Sequence, residues 1–152
     1  MSFLFFCFVV YCQLVGFRLP RESKGNYMGK AVYIAEKPSV AQEFAKALKL
    51  NTSRKDGYLE SDNAIVTWCV GHLVTMSYPE VYDEKYKRWS LETLPFMPKE
   101  FKYEVIPNVE KQFKIVSGLL NRADVDTIYV CTDSGREGEY IYRLVEQMSG
   151  VS

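Results

Sequence analysis

Thr127-Ile128-Tyr129-Val130-Cys131 runs without a break into Thr132-Asp133-Ser134-Gly135-Arg136-Glu137-Gly138-Glu139. The first five residues form a continuous apolar, β-forming run, the pattern of a strand buried on both faces. A polar, acidic stretch follows, and then a helix expected to turn Ile141, Leu144, Val145 and Met148 inward. The same order stands earlier in the chain. Ala31-Val32-Tyr33-Ile34-Ala35 reads as a buried strand, Glu36-Lys37-Pro38 breaks it, and Ser39-Val40-Ala41-Gln42 reads as a capping box opening a helix. Val40, Phe44, Ala47 and Leu48 would form the apolar stripe of that helix. Strands alternating with helices predict an α/β fold, a Rossmann-like parallel sheet flanked by helices with right-handed crossovers.

Between these units the signals are shorter. Asp56-Gly57 and Asp62-Asn63 are turn signals around a short strand near Tyr58. Ala64 to Val70 reads as another apolar strand, ended by Gly71-His72-Leu73. Residues 77–100 hold Pro79, Pro95 and Pro98, the aromatics Tyr82, Tyr86 and Trp89, and several lysines, and read as a long surface excursion. Phe101 to Ile106 is expected as a third strand of the sheet. Pro107-Asn108 then opens a helix with the stripe Val109, Phe113, Val116 and Leu120.

The composition, 47% hydrophobic and 25% charged, is that of an ordinary globular domain with a core. Formal net charge is zero, which argues against gripping nucleic acid by bulk charge and leaves room only for a local basic face. Cys7, Cys12, Cys69 and Cys131 form no C-x-x-C pair, and there is one histidine, so a structural zinc site is not expected. Plain buried thiols suit a reducing cytoplasm, the expected location.

Residues 1–27 stand apart. Positions 3 to 17 are strongly apolar, yet shorter than the roughly 20 residues of a membrane-spanning helix and interrupted by Gln13. No positive n-region or small-residue cleavage site marks a signal peptide. Met28-Gly29-Lys30 directly precedes the first strand, as a native start would. The expectation is therefore two segments: residues 1–27, an apolar N-terminal extension of mistranslated leader, with a short membrane-associating extension as the alternative, and a domain over 28–152. No membrane partner is expected.

In open parallel sheets, ligands sit beyond the carboxyl ends of the strands. Two strands here end in acids: the first delivers Glu36, the last Asp133 with Glu137 four residues on. Carboxylate oxygens are the ligands Mg²⁺ takes, one or two of them with waters and substrate phosphate. Lys37 and Arg136 each adjoin a candidate ligand, and acids, metal and cations together suit a bound phosphodiester. A plainer reading stays open on spacing alone. Acids between a strand and a helix often serve as caps, and Ser134-x-x-Glu137 is itself a capping-box pattern.

Glu36-Lys37-Pro38-Ser39, Val70-Gly71-His72-Leu73 and Asp133-Ser134-Gly135-Arg136-Glu137-Gly138-Glu139, each behind a strand and in this order, resemble the Toprim domain of bacterial topoisomerase III, a type IA DNA topoisomerase. The resemblance runs from about Met28 to the C-terminus. It implies an isomerase that cuts one strand of single-stranded or underwound DNA through a tyrosine in a downstream domain of the same polypeptide, and then reseals it. No nucleotide cofactor is implied. By the same resemblance, Glu36 would act as acid and then base near the leaving 3′-oxygen and touch the metal. Lys37 would stabilise the transition-state phosphate, and Asp133 and Glu137 would hold Mg²⁺ with it. His72, Arg136 and Ser39 would contact the DNA backbone phosphate or order the site.

Two departures accompany the resemblance. Gly135 stands where many Toprim proteins carry a second Asp, which leaves one carboxylate fewer. None of the eleven tyrosines lies in a motif matching the family's nucleophile. This reading therefore expects the isolated chain to be inactive in cleavage. Rival expectations are another Toprim enzyme of nuclease, primase or recombination-mediator type, and an inactive metal- or DNA-binding remnant.

Overall fold

The computed structural model describes residues 29–88 and 90–151, so the leader reading of residues 1–27, with Cys7 and Cys12, lies outside the described residues. The strands are β1 (Lys30–Ala35), β2 (Ser53–Lys55), β3 (Tyr58–Glu60), β4 (Ala64–Trp68), β5 (Val74–Met76), β6 (Tyr103–Val105) and β7 (Val125–Cys131). The α-helices are α1 (Pro38–Ala47), α2 (Glu110–Leu120) and α3 (Arg136–Ser149). Among the described residues the main sheet has five strands in the order β2-β3-β4-β1-β7. β1 runs parallel to both β4 and β7, whereas β2, β3 and β4 meander antiparallel.

The apolar run of β1 explains its central place. Val32 and Ile34 are fully buried on one face, in a core with Ile65 and Ile128 of the neighbouring strands. Phe113, Val116 and Leu120 of α2 and Ile141, Leu144 and Val145 of α3 close that core. The other face is covered by α1, whose Ala41 and Ala45 meet Ala35, Leu59 and Val66. The small alanines let that helix lie close on the sheet. Each fully buried leucine or isoleucine contributes about 1.5–3 kcal/mol.

Several local expectations are corrected. Helix α1 begins at Pro38, one residue before the expected capping box, with Lys37 at the N-cap and no side-chain cap. Proline's fixed φ and missing N–H suit a first helical position, and that overrides the Ser39–Gln42 pattern. Ala41 and Ala45 are the buried residues of α1; Val40 and Phe44 of the expected stripe pack half-buried beside them, while Ala47 and Leu48 are exposed. Met148, expected inward on α3, is also exposed, and Tyr142 takes an interior position instead.

The strand expected over Phe101–Ile106 shortens to β6 and does not enter the main sheet. It pairs antiparallel with β5 in a separate two-stranded ribbon, Val74 opposite Val105 and Met76 opposite Tyr103. The excursion hung between these strands is built of short 3-10 turns at Pro79–Val81, Glu84–Lys87 and Leu91–Thr93. Tyr82 and Tyr86 both pack edge-on against Phe96 within it. Among the described residues, no helix is long and apolar enough to cross a membrane.

Candidate functional site at the carboxyl edge of the sheet

The parallel register sets the site. Ala35 of β1 lies opposite Trp68 of β4 and Cys131 of β7, so all three strands end level. Glu36 therefore leaves the sheet between the Cys69–Leu73 turn and the Thr132–Gly135 loop. Its carbonyl accepts from the Gly71 amide at 3.4 Å, tying the first motif to the second. Gly71 has φ +79°, a left-handed turn that glycine adopts without strain. That turn presents His72 toward α3.

The acidic loop folds back on its own helix. Thr132 Oγ1 donates to the Gly138 carbonyl at 3.0 Å, and the Gly135 amide donates to the Asp133 carbonyl at 2.9 Å. Helix α3 has Gly135 at its N-cap and no side-chain cap, so the Ser134–Glu137 capping box does not form. Glu137 instead accepts a hydrogen bond from His72 Nε2 across the cleft. An open cleft of about 1040 Å³ is lined by Asp133, Ser134, Arg136, Glu137, Glu139 and Tyr140, among others. Tyr140 packs its ring edge-on to His72, centroids 6.0 Å apart.

Asp133, Arg136 and Glu137 are exposed around this cleft, and Lys37 and Ser39 are exposed at the start of α1. Glu36 is more enclosed, with its Oε1 3.9 Å from Lys37 Nζ. The first turn of α1 carries no acidic residue and no side-chain cap, so its unpaired N–H groups, Lys37 and Ser39 together favour an anion. The three acids do not, in this geometry, gather as expected. Among the described residues no three acidic, histidine or cysteine side chains come together closely enough to hold a metal ion. Like charges repel, and two of the acids have found another neighbour: Glu36 the lysine beside it, Glu137 the imidazole.

Other nucleophiles near the site are silenced by their surroundings. Burial, and then the Glu36 carboxylate, pushes the Cys69 thiol up to about 12. Tyr142 is almost wholly buried, and burial with its partner Glu146 raises its hydroxyl well above the usual range. Burial also raises Tyr140, which is hydrogen-bonded to Tyr103 of β6. Sequence reasoning matched neither tyrosine to a nucleophile motif. It missed Arg143, which lines the cleft and bridges Glu139 at 2.8 Å. Their i, i+4 spacing was the available signal.

In class, this is an α/β domain carrying an acidic loop and flanking cations at the carboxyl edge of its parallel strands. The chain belongs to the Toprim domain family, which matches it over residues 31–150. DNA topoisomerase 3 of Bacillus thuringiensis (strain Al Hakam) is 52% identical over 118 residues, 78% of this chain and 16% of the relative. DNA topoisomerase 3 of Bacillus subtilis (strain 168) is 45% identical over 124 residues, 82% of this chain and 17% of the relative. That of Staphylococcus haemolyticus (strain JCSC1435) is 45% identical over 116 residues. The chain thus spans 16–17% of the length of the curated relatives it matches.

Toprim domains of topoisomerases bind a divalent metal ion, and the donor chemistry here fits one. Asp133 and Glu137 line one open cleft with room for water, and Glu36 leaves the neighbouring strand. That suits a hard cation held by one or two carboxylates and several waters, and not a preformed protein cage.

Proposed function

We propose that this chain is the Toprim part of a type IA DNA topoisomerase and supplies the acid and cation groups for cutting and resealing one DNA strand. The observation that carries the reading is the placement of three motifs, from Glu36, Gly71 and Asp133 onward, at the level carboxyl ends of three adjacent parallel strands. Identity of 52% to a DNA topoisomerase 3 supports it. The nucleophilic tyrosine would come from other domains of a longer polypeptide, and the substrate would be single-stranded or underwound DNA. The setting would be the cytoplasm, with no nucleotide cofactor.

In this reading Asp133 and Glu137, with Glu36 beside them, hold Mg²⁺. When bound, the ion supplies positive charge next to the scissile phosphate. Lys37 faces the same phosphate and stabilises the charge that builds on it as the tyrosine oxygen attacks. Glu36 gives a proton to the departing 3′-oxygen, and takes it back when that oxygen re-attacks the phosphotyrosine. Keeping the phosphate covalently attached preserves the bond energy for resealing. Ser39, Arg136 and the open first turn of α1 hold the flanking backbone.

The test is a chimera in which residues 29–151 replace the matched segment of Bacillus subtilis DNA topoisomerase 3. With Mg²⁺ it should relax negatively supercoiled plasmid, and Glu36→Ala should abolish relaxation. A folded chimera that nicks DNA without resealing would favour a nuclease-type Toprim. A folded chimera that leaves DNA untouched would reject the reading.

A further inference from the structure

We propose that His72 parks Glu137 away from the divalent cation, so that metal binding to the acidic loop has to displace the His72–Glu137 hydrogen bond. The inference rests on the reading of Glu137 as a cation ligand. Glu137 is unusual for an exposed acid. Its side chain is 75% accessible, yet it is held in one place by a partner 65 residues away in sequence. An exposed glutamate otherwise keeps its rotamer freedom. Its local alternative, the cap on Ser134, is not formed.

The imidazole that holds it is itself braced. His72 follows the left-handed Gly71 turn and rests against the edge of Tyr140, and Tyr140 is hydrogen-bonded to Tyr103 on the ribbon. The ring is therefore carried by the turn after β4 and flanked by Glu137 and Tyr140 of α3, and strand β6 reaches it only through Tyr140. The ring N–H donates to Glu137 Oε1, which occupies one acceptor site of the carboxylate and holds the group on the His72 side. With Glu137 in this pose, no three donor side chains gather among the described residues. A histidine that merely oriented a ligand for the metal would leave the acids grouped around a common point. This one holds one acid apart.

The two roles differ in sign. If His72 parks Glu137, removing the imidazole frees the carboxylate and metal binds more tightly. If His72 supports Glu137 as a ligand, removing it weakens binding. Mn²⁺ affinity of the full chain should be measured calorimetrically for the wild type, His72→Gln, Tyr140→Phe and Glu137→Gln. His72→Gln should bind about three- to tenfold more tightly, the net weight of one ordinary hydrogen bond, since Glu137 is exposed to water. Tyr140→Phe, which cuts only the brace to Tyr103, should move the same way by less, and it guards against a His72 variant that does not fold.

A second readout uses the single histidine of the chain, whose ring signals in NMR are unique. Adding Mg²⁺ should shift them toward those of an imidazole with no carboxylate partner, and in Glu137→Gln they should already lie there. Unchanged Mn²⁺ affinity in Glu137→Gln would reject Glu137 as a ligand, and with it the reading underneath. Weakened affinity in Glu137→Gln, with unchanged or weaker affinity in His72→Gln, would overturn the parking role alone.

Discussion

A Cβ added to Gly138 would lie 2.1 Å from the carbonyl oxygen of Asp133. The loop that carries Asp133 is thus pressed directly onto the first turn of α3, and only a hydrogen atom fits between them. Gly138→Ala should push the loop off the helix and break the Thr132 bond to the Gly138 carbonyl. The expected cost is about 1–3 kcal/mol, typical of overpacking. Mn²⁺ binding should weaken as well, because Asp133 moves. A variant with wild-type melting temperature and wild-type Mn²⁺ affinity would show that the close approach has no consequence.

Lys37 is exposed, and its one ion pair among the described residues, to Glu36, is long at 3.9 Å. A cation left this free is available to a phosphate. In the active chimera, Lys37→Ala should lower the rate of strand cleavage about 100-fold, the scale of losing one donor aimed at transition-state charge. DNA affinity should change far less. Loss of binding with an unchanged cleavage rate would make Lys37 an anchor and not a participant.

At the opposite end of the sheet Glu60 meets Lys30 at 2.8 Å and Arg122 at 3.0 Å, and Arg122 also meets Asp124 at 2.7 Å. The Lys30 hydrogen bond holds Glu60 below the usual carboxylate range, and Arg122 does the same for Asp124. Both carboxyl groups release protons more readily in the folded chain than in the unfolded one. Their stabilisation is therefore present above the ordinary carboxylate pKa, near 4, and is lost as pH falls through the lowered values. Arg122→Met should cost about 1–2 kcal/mol at pH 7, less than a fully buried pair because Asp124 is 40% exposed. The gap between variant and wild type should narrow at pH 3. A gap that stayed constant from pH 7 to pH 3 would contradict the assignment.

Two of the five basic residues of the excursion already have partners. Lys85 pairs with Asp83 at 3.1 Å and lies over the Tyr86 ring, and Lys102 lies over Tyr82. With a net charge of zero, the chain should bind single-stranded DNA with a dissociation constant on the order of 10 μM or weaker, and its affinity should fall steeply with salt. Fluorescence anisotropy across a salt series measures this. A tight complex insensitive to salt would point to base stacking on exposed Tyr78 and Phe101.

Legibility in the sequence followed the range of the interactions. The runs 31–35 and 127–131 were legible as buried strands because their neighbours in sequence decide them, and the acids behind them followed. The start of α1 was misread because Ser39 and Gln42 make a good local pattern that Pro38 pre-empts. The fate of β6 could not be read, since its strand signal says nothing about a partner, and Val74 opposite Val105 is a long-range choice. The same holds at the site. Glu137 offered a cap and a ligand as local readings; the cap does not form, and the structure adds His72 as a long-range partner.

The ribbon of β5 and β6 has a consequence for how this molecule tolerates change. It clasps residues 77–102 at their base, and the Ile106 amide reaches back to the Leu73 carbonyl at 3.0 Å to lock the clasp to the core. Because the ends are pinned there, the length of the intervening chain enters stability only logarithmically, about 0.6 kcal/mol for each doubling. The excursion is therefore a cassette. It can be lengthened, trimmed or exchanged among relatives while the acid loop, the histidine turn and the first motif keep their places.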